Sequence, residues 1–412
     1  MKPIGPIPPD FAGQQGDLMI GGRSAAAWIA EAGETPLFVY DMAAVAARIA
    51  RLRAAMPATL DVHYAIKANP FAPLLTAIAP LVDGFDIASV GELARIDGLM
   101  PPARISFAGP GKTDAELAAA IRAEVTINLE SDSEATRALV IADRLGVTPR
   151  LAVRVNPDLE LRGSGMRMGG RASPFGIDAD RAGALVRRLI DAGADWRGFH
   201  IFAGSQALDA QAIIETQAAT LALAARLADG AGAAPPLVNL GGGFGVPHFA
   251  GDKTLDVEAI GAALGEALAS RAAILADSRF AIELGRWLVA EAGVYLTRII
   301  DRKTSHGETF LVVDGGLHHQ LAASGNFGTV VRRNYPIAVA HRMGAAADDE
   351  VTVVGCLCTP LDRLGDHVVL PRAETGDVIA IFLAGAYGAS ASPAGFLSHA
   401  PAPELLAHGR QS

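Results

Sequence analysis

The chain alternates between two hydrophobic rhythms. Short runs dense in β-formers occur at Val62–Ile66, Gly84–Ala88, Ile105–Ala108, Val125–Leu129, Leu151–Val155, Gly198–Phe202, Leu237–Leu240 and Phe280–Leu284. Between them lie Ala/Leu-rich stretches of helical character, such as Ala115–Ala123, Ser133–Leu145, Ala182–Ala192 and Ala210–Ala228. Strand–helix alternation predicts parallel strands joined by helical crossovers. Eight such units are the number that closes a (β/α)8 TIM barrel. Open doubly wound sheets alternate in the same way, so the count alone does not decide. The placement of unusual residues does: nearly every run ends in a polar or glycine-rich cluster, and in a barrel those ends converge on one face.

After about Ala290 the pattern changes. Phe310–Val313, Val351–Val354, His367–Leu370 and Val378–Phe382 are separated by turns without long helices, which predicts a C-terminal antiparallel β domain. The expected division is an α/β barrel over residues 37–289, with residues 1–36 and 290–412 forming the β domain.

Length and composition narrow the class. A chain of 412 residues suggests two or three domains. Half the residues are hydrophobic and 19% are charged, enough apolar material for large cores. The 44 acidic residues outnumber 35 basic ones, for a formal charge of −9; no Lys/Arg stripe is present to neutralise phosphates, which argues against nucleic acid. No run of about 18 uncharged apolar residues exists, so a membrane span is not expected. Prolines at positions 3 and 6 stand where a signal peptide needs its apolar segment. Cys356 and Cys358 are too close together to staple a fold and fit a reducing cytoplasm. A cytoplasmic location is therefore expected.

Four clusters carry candidate chemistry. In Val62-His63-Tyr64-Ala65-Ile66-Lys67, alternation puts His63, Ala65 and Lys67 on one face. Burial there depresses an amine's pKa and readies it for a Schiff base, although a strand-end lysine reaching water is the commoner case. Leu240-Gly241-Gly242-Gly243-Phe244-Gly245 closes the seventh run; consecutive glycines expose N–H groups to an anion, or simply make a tight turn. Glu283-Leu284-Gly285-Arg286 closes the eighth run and could be a plain ion pair. Amine, phosphate loop and strand-end carboxylate together, however, match the needs of pyridoxal 5'-phosphate. In the fourth cluster, Gly355 to Asp362, the Cys-x-Cys spacing with no other cysteine is poor for zinc, and no metal is expected. Gly111-Lys112-Thr113 is a near-miss to a phosphate loop, while Thr113-Asp114-Ala115-Glu116 reads as a capping box.

Together, and in order along the chain, these motifs from about Pro36 to Phe396 resemble the fold-type III pyridoxal-phosphate decarboxylases: the diaminopimelate, ornithine and arginine decarboxylase family, whose barrel is of the alanine-racemase type. The resemblance implies that Lys67 is the Schiff-base lysine. It places Asp86 and Arg154 around the cofactor's lysine and hydroxyl side, and Glu283 at the pyridinium nitrogen. Gly241, Gly242 and Gly243, with Ser205, Arg286 and Tyr387, correspond to the phosphate cradle, and Gly285 is expected to contact the cofactor. Cys358 is similar to the cysteine that reaches in from the other subunit of a homodimer and returns a proton to the substrate's α-carbon.

Departures from the family pattern concern the substrate. The stacking histidine of His-x-Gly-Ser is replaced by Phe202. The acidic residue usual after the active-site cysteine is Thr359, and a second acidic position falls near Asn326. The basic residue usual before Phe-Gly is Pro174, which weakens any cross-dimer pair with Asp362. Thr359, Asn326 and Asp362 are thus the expected substrate-side residues. A buried substrate ammonium without a carboxylate costs several kcal/mol, so a free diamino acid is not the expected substrate. Phe202 and Cys358-Thr359-Pro360-Leu361-Asp362 look more like two side branches, one acting on glutamate tethered to an acyl carrier protein and one accompanying exosortase systems. The rival readings are an amino-acid racemase on the same barrel and a non-catalytic decarboxylase-like binding protein.

Overall fold

The computed structural model describes residues 2–11, 13, 16–158, 161, 166–167, 172–325 and 333–409. The chain forms two compact units, one of Ile49–Gly245 and Leu255–Gly285, the other of Met1–Arg48, Val246–Thr254 and Arg286–Ser412.

In the first unit, strands Leu60–Ala65, Gly84–Ile87, Ile105–Phe107, Thr126–Leu129, Arg150–Asn156, Asp195–Ile201, Leu237–Asn239 and Arg279–Leu284 pair in sequence order, every pair parallel. The last also pairs with the first, so the sheet closes into the expected barrel. Phe280–Leu284 is buried at every position. Enclosure on both faces is why such strands read as unbroken apolar runs rather than alternating ones.

Local chemistry starts the crossover helices. The Thr113 hydroxyl accepts from the Glu116 N–H while the Glu116 carboxylate accepts from the Thr113 N–H, the capping box expected of this sequence. Ser131 and Asp209 cap the helices Asp132–Leu145 and Ala210–Ala231. Lys112 is no phosphate ligand. It is buried, and its Nζ donates to Glu134 Oε1 at 2.7 Å, Gly109 O at 2.7 Å and Asn128 O at 2.9 Å. All three ammonium hydrogens are thereby used.

The second unit is built on a sheet in the order Ile337–Val339, Val378–Phe382, Gly293–Ser305, Glu308–Val313, Asp349–Val354, Arg363–Leu370. Its pairings are mostly antiparallel. Two are parallel: Glu308–Val313 with Asp349–Val354, and Glu404–Ala407 with Leu37–Asp41. The strand Leu37–Asp41, expected at the start of the barrel, also pairs with Gly293–Ser305. Leu37 and Val39 share a core with Phe11, Leu18, Trp28, Val294, Leu296 and Phe382. All five residues of the strand are buried, and its apolar stretch Leu37–Tyr40 carries no alternation that distinguishes barrel from sheet. Among the described residues, no helix is long and apolar enough to cross a membrane.

Candidate active site

The barrel unit gathers buried polar residues on its strands, notably His63, Asp86, Arg154, His200, Asn239 and Glu283. Arg154, His200 and Asn239 are partners in register on three successive strands, and Glu283 is in register with His63. His200 Nε2 lies 2.9 Å from Glu283 Oε2. The strand Leu237–Asn239 stands between theirs, so this bond runs through the barrel interior.

Lys67 Nζ lies 3.6 Å from the other Glu283 oxygen, Oε1. Burial on its own would push the Glu283 carboxyl up. The Lys67 ammonium and the His200 bond prevail and hold it well below the usual carboxylate range. The site thus keeps an ionised carboxylate in the barrel interior with an amine beside it. The alternation that aligned Lys67 with His63 and Ala65 ends two residues short of the lysine, however. The strand stops at Ala65 and Lys67 sits in a 3-10 turn, Ile66–Ala68. Its side chain is 49% exposed rather than buried, so a turn, not the pleat, brings the amine to Glu283.

Two further charge groups flank this pair. His63 Nδ1 is 3.4 Å from Asp86 Oδ2; burial would lower the imidazole's pKa, but the Asp86 carboxylate and other nearby carboxylates raise it above its ordinary value. Arg154 Nη1 donates to Glu130 Oε1 at 2.7 Å. Glu130 also accepts from the N–H groups of Gly109 at 2.6 Å and Gly176 at 2.9 Å. Its own N–H donates to Glu134 Oε2 at 2.7 Å, which continues the chain of contacts to Lys112. Burial alone would raise the Glu130 pKa, but Arg154 and these donors hold it below the usual value. Two buried cations and two buried carboxylates balance one another, as groups withdrawn from water must.

The glycine loop follows from close approach. A Cβ on Gly242 would stand 1.9 Å from the Glu283 carbonyl oxygen, and Gly241 and Gly243 have φ of +71° and +85°. No other residue fits the sequence of turns. Asn239 Oδ1 anchors the loop by accepting from the Gly241 N–H at 2.9 Å. The N–H groups of Gly242 and Gly243 take no acceptor among the described residues, which leaves donors for an anion. Phe202 packs on Gly241, within 3.2 Å of where its Cβ would be. The segment after Ser205 lies alongside, with the Ala207 N–H donating to Gly243 O at 2.9 Å. Gly285 abuts the lysine turn: its Cβ would stand 2.9 Å from the Ala68 Cβ.

In the second unit, the Arg286 guanidinium stacks 4.6 Å from the Tyr387 ring centroid. Arg286 Nε is buried with no acceptor among the described residues. Cys358 is exposed and Thr359 half-buried. Asp362, expected among the substrate contacts, is buried and turned inward. Its carboxylate accepts from Leu317 N–H at 2.7 Å and Leu357 N–H at 2.9 Å and so fastens its own loop. Asn326 lies outside the described residues.

Sequence reasoning missed His200, Glu130 and the Lys112–Glu134 pair. Glu130 had a signal: like Glu283, it is a carboxylate at the end of an apolar run. Nothing in the sequence distinguishes His200 from a core histidine.

Residues 42–290 match the pyridoxal binding domain of the pyridoxal-dependent decarboxylases. The chain belongs to that family. It is 36% identical over 383 residues to the L-glutamyl-[BtrI acyl-carrier protein] decarboxylase of Niallia circulans, covering 90% of this chain and 89% of the relative. It is 30% identical to the 2-[(L-alanin-3-ylcarbamoyl)methyl]-2-hydroxybutanedioate decarboxylase of Staphylococcus aureus, covering 90% and 93%. Among solved structures, diaminopimelate decarboxylase of Helicobacter pylori with L-lysine superposes with a TM-score of 0.81 at 26% identity, covering 92% of this chain and 93% of that one. The protein is accordingly a pyridoxal-phosphate-dependent amino-acid decarboxylase. The residues present fit the cofactor: an amine beside an ionised carboxylate, and a glycine loop with open N–H donors.

Proposed function

We propose that this decarboxylase removes the α-carboxylate of an amino-acid group whose far end is carried on a larger acyl conjugate, with L-glutamate on an acyl carrier protein as the first candidate. The observation that carries the reading is the loop after Cys358. Thr359 has no charge, and Asp362 spends its carboxylate on the Leu317 and Leu357 N–H groups. A free diamino acid would bring an ammonium to a loop with no carboxylate turned toward it. The substrates named for the Niallia circulans and Staphylococcus aureus relatives support the same class.

Each side chain then has a defined task. Lys67 Nζ would hold the cofactor through its aldehyde. Glu283, kept ionised, would pair with the protonated ring nitrogen, and His200 keeps Glu283 in place. Gly241, Gly242 and Gly243, with Ser205, Gly285, Arg286 and Tyr387, bind the phosphate. Asp86 and Arg154 would orient the hydroxyl side, and Phe202 stands where the family's histidine would face the ring. When bound, the cofactor would supply the electron sink that decarboxylation needs. Cys358 of a second copy gives its Sγ proton to the α-carbon, so the working form is a homodimer with shared sites.

The test is CO2 release by pyridoxal-loaded protein, measured with free ornithine, lysine, arginine, meso-diaminopimelate and glutamate beside carrier-tethered glutamate. Release confined to the tethered substrate is the expected outcome. Strong release from any free diamino acid refutes the substrate reading.

A further inference from the structure

Three side chains from separate segments of the second unit converge, and none of them has a task in the reaction proposed above. His318 follows the turn at Asp314-Gly315-Gly316, Cys356 lies in the loop after strand Asp349–Val354, and His399 follows the 3-10 turn Phe396–Ser398. One nitrogen or sulfur from each lies within 4.8 Å of the other two. Cys356 Sγ is 3.9 Å from His399 Nε2, and the His318 and His399 ring centroids are 4.9 Å apart.

His318 is 0% exposed, yet neither ring nitrogen has a partner among the described residues. Buried imidazoles are ordinarily satisfied. Its neighbour His319 shows the contrast. His319 Nε2 donates to Ala400 O at 2.9 Å, and its Nδ1 accepts from the Tyr295 hydroxyl at 3.1 Å. The first of these bonds ties down Ala400, the residue immediately after His399. On the other side, Cys356 N–H donates to Gly315 O at 3.0 Å, tying the cysteine's loop to the turn that leads to His318. Leu397 and Ser398, just ahead of His399, take left-handed φ of +55° and +60°. Non-glycine residues persist there only where the surroundings over-determine them.

We propose that His318, Cys356 and His399 form a site for a zinc-class divalent ion, with two imidazoles, one thiolate and a fourth position open to water. Tetrahedral zinc sets sulfur–nitrogen separations of about 3.6 Å and nitrogen–nitrogen separations of about 3.3 Å. Lying within 4.8 Å of one another, the three atoms reach that geometry by closing at most about 1.5 Å. Imidazole with thiolate selects zinc-like ions over magnesium or calcium. On binding, the Cys356 Sγ–H bond breaks and its proton passes to the buffer. Here Asn, Gln or Ser replacements remove ligands without charge. The ion would join the loop bearing Cys358 to the segment around His399.

The experiment uses full-length, untagged, cofactor-loaded protein, exposed to zinc, desalted and analysed for metal by mass spectrometry. About one zinc per chain is expected in the wild type and in Cys358→Ser, falling below about a tenth in Cys356→Ser and in His399→Gln. Cobalt in place of zinc should add visible bands of a four-coordinate site in the wild type, absent from Cys356→Ser. Circular dichroism reports folding, and the exposed His399 gives the deciding variant if Cys356→Ser misfolds. Less than about a tenth of an equivalent in the wild type, or wild-type zinc in the folded His399→Gln protein, overturns the proposal.

Discussion

Glu283 is the residue on which the barrel site turns. Its two oxygens are divided between His200 and Lys67, and it stays ionised because those partners outweigh its burial. Glu283→Gln keeps the shape and removes the charge. Turnover is expected to fall on the order of 100-fold, with less effect on cofactor content, as steady-state kinetics and absorbance of the bound cofactor would show. Lys67→Ala should abolish CO2 release, and borohydride should no longer fix a cofactor-sized mass on the chain. The sequence displayed both residue types at the ends of apolar runs. It did not display their pairing, because they are far apart along the chain and meet only when the barrel closes.

At the scale of elements, the loop after Leu237–Asn239 was legible as glycine-rich but ambiguous in purpose. Its need for glycine follows from the Glu283 carbonyl against Gly242. Gly242→Ala must displace one backbone from the other, an overpacking cost of about 1–3 kcal/mol. Weaker cofactor retention on dialysis and a lower thermal midpoint are the expected readouts.

The segment Val246–Thr254, which joins the second unit, was not legible at all. It carries His248, whose Nδ1–H donates to Val246 O at 2.8 Å. Burial, with help from the Arg286 charge, pushes the His248 pKa down to about 4. Between about pH 6.5 and 4 the unfolded chain therefore binds a proton that the folded chain refuses. That contribution is full above about pH 6.5 and is lost as pH falls toward 4, in total about 3 kcal/mol. Urea midpoints measured at pH 7, 6 and 5 should drop less steeply in His248→Gln than in the wild type.

For the whole molecule, the proposed homodimer with shared sites makes a quantitative expectation. Lys67→Ala and Cys358→Ala chains mixed after unfolding and refolding would form heterodimers having one intact site of two. Random mixing at equal amounts restores roughly 25% of wild-type formation of the normal product. Recovery no greater than the sum of the two variants alone would mean that Cys358 serves its own chain.

Fold class, the eight strands and the cofactor type were readable in the sequence, because each rests on local pattern: apolar runs of strand length, capping residues, and motifs in a fixed order. The Thr113–Glu116 box needs only four adjacent residues and formed as read. Tertiary structure alone decided which side chains meet. It sent Leu37–Asp41 to the second sheet, turned Asp362 inward, put Lys67 on a turn instead of a pleat, and paired Glu283 with His200 across an intervening strand. Those outcomes depend on non-local closure and on which buried charge finds a partner, and no window along the chain contains both halves of either.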